Sequence, residues 1–192
     1  MSTIYTLNGK VLKNSANDKW LKKFFPPPFD YVTIGSQIWA SENLAINDGH
    51  GGIYTQTVNH GQGNVTEYYY TWEAAVRVAA TVQGWHLPTR AEWDTLVSAI
   101  NGQSDAGTKL KSTYGWTSGN GTDNYGFTAL PDGWRNPTYG WFSDLGKFAY
   151  FWEASEFDAD TADECYMDTG SRVRFGVGTK TSALSVRLIK DA

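Results

Sequence analysis

Helical spacing appears in only two stretches of this chain, and turn-forming residues cut almost everything else into runs too short for long elements. Trp72, Ala75, Ala79 and Val82 recur every three or four residues, which predicts a helix over 71–82. The second stretch starts Thr89-Arg90-Ala91-Glu92. Thr89 accepts from the Glu92 N–H while the Glu92 carboxylate reaches back, a pairing that starts helices. Trp93, Leu96, Val97 and Ile100 then make one inward stripe, and Asn101-Gly102 stops it. Residues 4–7 and 10–12 around Asn8-Gly9 read as a hairpin, and so do 31–34 and 37–39 around Gly35-Ser36. Residues 47–66 read as a Gly- and Asn-rich loop. Residues 149–152 and 184–189 read as buried strands. Strands, two helices, then short strands and long loops make an α+β fold with small antiparallel sheets, not a βαβ winding.

Composition narrows the function classes. The chain has 192 residues, enough for one domain with a short appendage. A net charge of −4 argues against a nucleic-acid footprint. The single cysteine, Cys165, leaves no partner for a disulfide or a Cys-pair metal site within the chain. No apolar run is long enough for a bilayer-spanning helix, and Met1-Ser-Thr-Ile-Tyr-Thr carries no signal-peptide pattern. Synthesis in a cytoplasm without an export signal is therefore expected, with a virion tail or a cell surface as the final location. Residues 1–28 form a unit apart: the first hairpin, the stretch Lys19-Trp20-Leu21-Lys22-Lys23-Phe24-Phe25, and three prolines, which make a stiff connector. A docking or oligomerisation element and a packed tail both fit it. The domain proper spans 29–192.

Four ordered motifs carry a resemblance. They are Tyr31-Val-Thr-Ile-Gly-Ser-Gln-Ile-Trp-Ala-Ser-Glu-Asn-Leu44; Gly84-Trp-His-Leu-Pro-Thr-Arg-Ala-Glu-Trp93; Gly107-Thr-Lys-Leu-Lys-Ser112 with Gly119-Asn-Gly-Thr-Asp-Asn-Tyr-Gly-Phe-Thr-Ala-Leu-Pro131; and Ser185-Val-Arg-Leu188. Together they resemble the Fibrobacter succinogenes major paralogous domain, which implies a C-type lectin-like fold. A subset of that family is similar to the variable proteins of diversity-generating retroelements in gut bacteria and phages. The resemblance implies a hypervariable segment at about 136–184, with Phe151-Trp152 and Ser185-Val186-Arg187-Leu188 as fixed boundaries. In that family, randomised adenines in Asn codons yield codons that cannot encode Trp, Met, Gln, Lys or Glu. Of the 23 residues 157–179, only Glu164 and Met167 are of those types. The lone Cys165 also fits such sampling.

A segment can be randomised only if its side chains contribute little to folding, because truncating a core residue costs about 2–5 kcal/mol. The segment is therefore expected to be solvent-facing, on loops carried by a frame built elsewhere. Trp39, Trp72, Trp85, Trp93, Trp116 and Trp152 are the expected frame. The resemblance implies a non-enzymatic ligand- or receptor-binding protein, phage tail-associated, with a surface protein or glycan as partner. Its expected contact residues are the aromatics Tyr139, Trp141, Phe148, Tyr150, Phe157, Tyr166 and Phe175. The polar ones are Asp158, Asp160, Thr161, Asp163, Asp168, Arg172, Arg174 and Thr181. Core packing is the competing reading for Phe157 and Phe175, and Trp141 is balanced between the two.

Other chemistry finds less support. Counting a calcium loop from Asp158 puts Ala162 at position 5 and Asp163 where a Gly is needed. The calcium-dependent sugar motifs of C-type lectins do not occur, and the cysteine pair of the related formylglycine-generating enzymes is not available. His50, His60 and His86 lack metal-ligand spacing, and His86 reads as structural. Neither a metal nor a cofactor is expected. Two alternatives stay open. One is a bacterial cell-surface adhesion or carbohydrate-associated module. The other is a hydrolase with two carboxylates converging in a deep cleft.

Overall fold

A computed structural model of the chain describes residues 4–7, 10–13, 27 and 29–191. The expected first hairpin is present as β1 (Ile4–Leu7) and β2 (Lys10–Lys13), with Leu7 opposite Lys10. Residues 19–25, Pro26 and Pro28 lie outside the described residues. The rest is α+β, with three helices and several small antiparallel sheets.

The second hairpin forms as expected, β3 (Tyr31–Ile34) and β4 (Gln37–Ala40). Its turn needs Gly35 twice over. The residue has φ +62°, and a Cβ there would sit 2.7 Å from the Ala99 Cβ. Residues 47–66, expected as loop, are largely a third hairpin: β5 (Ile53–Asn59) pairs along its length with β6 (Asn64–Tyr70). The Gly and Asn residues that suggested a loop supply its turn, where Asn59 Oδ1 accepts from the Gly61 N–H at 2.7 Å.

Helix α1 (Trp72–Ala79) buries Trp72, Ala75 and Ala79, and the Thr71 hydroxyl caps its start. After β7 (Trp85–His86), α2 (Arg90–Ala99) has the expected capping box. Thr89 N donates to Glu92 Oε2 at 2.8 Å, and Glu92 N donates to Thr89 Oγ1 at 3.3 Å. Asn101 and Gly102 then turn left-handed, at φ +73° and +91°. A third helix, α3 (Gln103–Leu110), follows where only turns were expected. Its interior Gly107 weakens the helical signal. That glycine lets the Arg172 carbonyl oxygen come within 2.7 Å of where a Cβ would be.

Two short strands, β8 (Trp134–Arg135) and β9 (Phe142–Ser143), precede the main sheet. That sheet has the order β10 (Ala149–Glu156), β11 (Thr161–Met167), β12 (Val173–Thr179), all antiparallel. The segment 157–180, expected as loop, therefore supplies two of its three strands. The final segment departs in the other direction. Only β13 (Ile189–Lys190) is strand, pairing with β4 and β7. Residues 183–188 are buried without a continuous ladder, because they bond to five different neighbours in turn, beginning with Ala183, which exchanges bonds with Arg135. Leu184 exchanges bonds with Tyr70, and the Ser185 carbonyl accepts from Trp152 N. The Val186 and Leu188 carbonyls accept from Leu44 and Ala40. This stretch is a seam between elements rather than a strand of one sheet.

The core has two parts. One, under α1, contains Trp72, Trp85, Trp152, Ala162 and Leu184. The other, under α2 and α3, contains Trp39, Trp93, Trp116, Phe127, Phe151, Cys165 and Met167. All six tryptophans expected as the frame are buried in these clusters. His86 is bridged at 2.7 Å to both Glu92 and Asp191, a structural role as expected. Among the described residues no helix is long and apolar enough to cross a membrane.

Candidate binding face

The β10–β11–β12 sheet alternates, and its two faces have separate surroundings. In register across the three strands, Ala149, Met167 and Val173 form one row, and Phe151, Cys165 and Phe175 form the next. Both rows face the α2 and α3 core, where Cys165 and Met167 are 0% exposed. This overturns the expectation that the whole late segment is solvent-facing. Ala162, Cys165, Met167 and Val173 are interior residues. The thiol of Cys165 is a core filler whose pKa burial pushes up, so codon sampling is not needed to explain it. Phe175 belongs to this side as well. It packs on the core, with the Arg90 guanidinium 3.5 Å above its ring. Its assignment as an outward anchor is corrected accordingly.

The opposite face is divided. Trp152 and Ala162 pack under α1, and Trp152 Nε1 donates to the Tyr70 carbonyl at 2.8 Å. Beyond them lies the row Tyr150, Tyr166, Arg174. Phe148 stacks on Tyr150, with ring centroids 5.3 Å apart and planes at 12°, and Tyr166 closes the trio at 5.7 Å from Tyr150. Arg174 Nε donates to Asp168 Oδ2 at 3.1 Å beside them. Phe148, Tyr150, Tyr166, Asp168 and Arg174, all read from sequence as contact residues, are thus gathered on one side of the sheet. The turn that carries Asp168 is held from beneath. The buried Lys111 donates from Nζ to the Asp168 and Gly170 carbonyls at 3.0 and 2.7 Å.

The remaining expected residues lie elsewhere. Tyr139 and Trp141, 66% and 58% exposed, stack on each other at 4.6 Å at the tip of the β8–β9 hairpin. Phe157, 66% exposed, Asp158 and Asp160 lie in the β10–β11 turn. Asp158 is spent on that turn. Its Oδ1 accepts from Thr161 Oγ1 and from the Asp160 and Thr161 N–H groups, and the Thr161 hydroxyl leads in holding its pKa down. Arg172 and Thr181 are exposed in separate turns. Asp163 faces the α2 side, where its charge acts on Glu153.

Sequence reasoning missed a cavity of about 330 Å³ beside the aromatic trio, lined by Trp134, Asp144, Tyr150, Glu164, Thr179 and Leu184, among others. Trp134 Nε1 donates to Asp144 Oδ2 at 2.9 Å on its wall. Glu164 enters it without a hydrogen bond from any described residue, and burial raises its pKa to about 7. Two glycines opposite make room for it. A Cβ on Gly178 would lie 2.5 Å from Glu164 Oε2 and 2.9 Å from the Trp152 ring, and one on Gly176 would lie 3.3 Å from Glu164 Oε1. Gly-x-Gly inside a strand was the available signal that something approaches closely there.

A sheet-borne aromatic cluster with an adjoining polar cavity suits non-covalent binding of a ligand. The comparisons agree with the family read from the motifs. The sequence matches the Fibrobacter succinogenes major domain (Fib_succ_major) over residues 32–190, and the chain belongs to that family. No curated protein and no solved structure matches the chain.

Proposed function

We propose that this chain is a non-enzymatic binding protein of C-type lectin-like fold. Phe148, Tyr150, Tyr166, Asp168 and Arg174, with the Glu164 cavity, form its ligand face. The observation that carries the reading is the aromatic trio, Tyr150 and Tyr166 on strands whose reverse side is core and Phe148 just before β10, all half-exposed. Rings fixed in this way lose little freedom on binding, and aromatics and Arg dominate interface energetics. In keeping with the family resemblance, the outward positions of 136–184 are the ones diversified by a retroelement. The partner is a surface protein or glycan met at a phage tail or cell surface. A carbohydrate-associated adhesion module is the second reading, favoured by the near-parallel Phe148 and Tyr150 rings beside a carboxylate.

Binding of the purified chain to bacterial surfaces and to a glycan array tests both readings, alongside a Tyr150→Ala/Tyr166→Ala variant checked for folding. The reading expects the wild type to bind a defined target and the variant to lose at least ten-fold in affinity. Equal binding by the folded variant would contradict it. For diversification, the neighbouring DNA is expected to hold a near-copy of the 3′ coding end that differs at adenines, beside a reverse transcriptase. Without that copy, the adhesion module becomes the reading.

A further inference from the structure

A cleft of about 1000 Å³ lies apart from the aromatic face, lined by residues of the β3–β4 hairpin, the β5–β6 hairpin and the segment 114–130. His60 and Glu67 line it, and Asp132 lies directly behind His60. All three are more than nine-tenths buried, at 7%, 9% and 0% exposed. One ligating atom from each lies within 4.8 Å of the others. His60 Nε2 is 2.8 Å from Asp132 Oδ1 and 3.8 Å from Glu67 Oε1. His60 Nε2 and Asp132 Oδ1 meet as an ion pair without the alignment of a hydrogen bond, and neither atom has a further hydrogen-bond partner among the described residues. A buried imidazole and carboxylate that meet only each other leave lone pairs free for a further partner.

The arrangement around Asp132 is what a coordinating carboxylate requires. Its Oδ2 is already engaged, accepting from Asn43 Nδ2 at 2.7 Å. Asn43 is itself fixed, because its Oδ1 accepts from Arg187 Nη2 at 2.7 Å and Nε at 3.2 Å. Tyr69 Oη donates to the Asp132 carbonyl at 2.9 Å. Oδ1 is thereby left facing His60. An outer shell that orients one oxygen and leaves the other free is the usual support of a metal ligand.

We propose that His60 Nε2, a Glu67 oxygen and Asp132 Oδ1 bind a divalent transition-metal ion of the zinc class, with a fourth position open to the cleft. Ligands in a tetrahedral zinc site, at about 2.0–2.1 Å from the ion, stand roughly 3.3 Å apart. The two distances measured from His60 bracket that value. One imidazole and two carboxylates suit zinc better than calcium, which takes six to eight oxygens. The ion ties the β5–β6 hairpin, through His60 and Glu67, to the segment that follows Pro131. Its open position accepts an oxygen or nitrogen donor from whatever enters the cleft.

The test is calorimetric titration of untagged, chelator-stripped protein with Zn²⁺. The wild type is expected to bind one equivalent and to melt at a higher temperature with zinc than without. Glu67→Gln and His60→Gln are expected to weaken binding at least ten-fold. His86→Gln should leave it unchanged, since that ring is held between Glu92 and Asp191. The wild type also gives a direct reading if the ligand variants fail to fold. Of its three histidines, His60 alone should shift its ring-nitrogen NMR signal on adding Zn²⁺, with His86→Gln used for assignment. The proposal is overturned if no stoichiometric binding occurs or if folded Glu67→Gln binds as the wild type does. A shift at His50 or His86 in place of His60 would overturn it as well.

Discussion

The two faces of the β10–β11–β12 sheet are built from the same strands, yet they do opposite work. Phe151, Cys165, Met167 and Val173 point into a core formed with α2 and α3. Their immediate neighbours Tyr150, Tyr166 and Arg174 point away from it. A strand makes this division automatically, because successive side chains alternate. The lesson is that a surface open to change need not be a loop. A sheet can present it, provided that every second position is reserved for the interior. The randomisable set is then smaller than the segment that contains it, and it is fixed by parity together with the α1 packing that covers Trp152 and Ala162.

That contrast can be broken from the inner side first. Phe151→Ala should cost about 3–5 kcal/mol in urea unfolding, and Met167→Ala about 2–5, because each leaves a cavity in the α2–α3 core. Gly178→Ala should cost about 1–3 kcal/mol, as its methyl meets both Glu164 and the Trp152 ring. A change under 0.5 kcal/mol would show that the Glu164 cavity is looser than described.

Glu153 sharpens the same comparison through pH. It is fully buried on the inner side, and neither carboxylate oxygen has a hydrogen-bond partner among the described residues. Burial raises its pKa from 4.5 to about 7, with Asp163 and Asp94 adding to the rise and Arg90 opposing it. The folded state therefore binds more protons than the unfolded chain between pH 4.5 and 7. Stability falls as pH rises through that window and is flat above it. Glu153→Gln should remove its own share of that fall, a difference of about 1–3 kcal/mol at pH 8 and little at pH 4, with Glu164 contributing over the same window. An unchanged pH profile would place the titration elsewhere, with Glu164 as the next group to replace. On the outer side, Arg174→Ala breaks only the exposed pair with Asp168 and should cost about 0.2–1 kcal/mol.

The parts legible in the sequence are those whose signal is local. The Thr89–Glu92 box, the left-handed stop at Asn101-Gly102 and the Gly35 turn each declare themselves within a few residues. The tryptophans were legible because a side chain of that size is rarely spare. The β5–β6 hairpin was hidden because Thr55, Thr57 and Asn59 fill the outward positions of β5, so the turn glycines dominate the pattern. Helix α3 was hidden by Gly107, which answers to the Arg172 carbonyl and not to its own helix. Cys165 looked like an accident because its neighbours in space, Phe151 and Phe175, are far from it along the chain. The Glu164 cavity and the His60, Glu67 and Asp132 cluster depend on strand register and on chain crossings, which no local pattern records.

The central claim is that the face a side chain takes in the sheet, and whether α1 covers it there, decides what folding can spare, and not membership of the late segment. The most direct measurement compares urea unfolding of two multiple variants. One carries Tyr139→Ser, Trp141→Ser, Tyr166→Ser and Arg174→Ser; the other carries Cys165→Ser, Met167→Ala and Val173→Ala. The first should keep a cooperative transition, losing about 2 kcal/mol at most from four exposed or half-exposed sites. The second should lose the transition altogether. A collapse of the first variant, or survival of the second with its midpoint unchanged, would contradict the account.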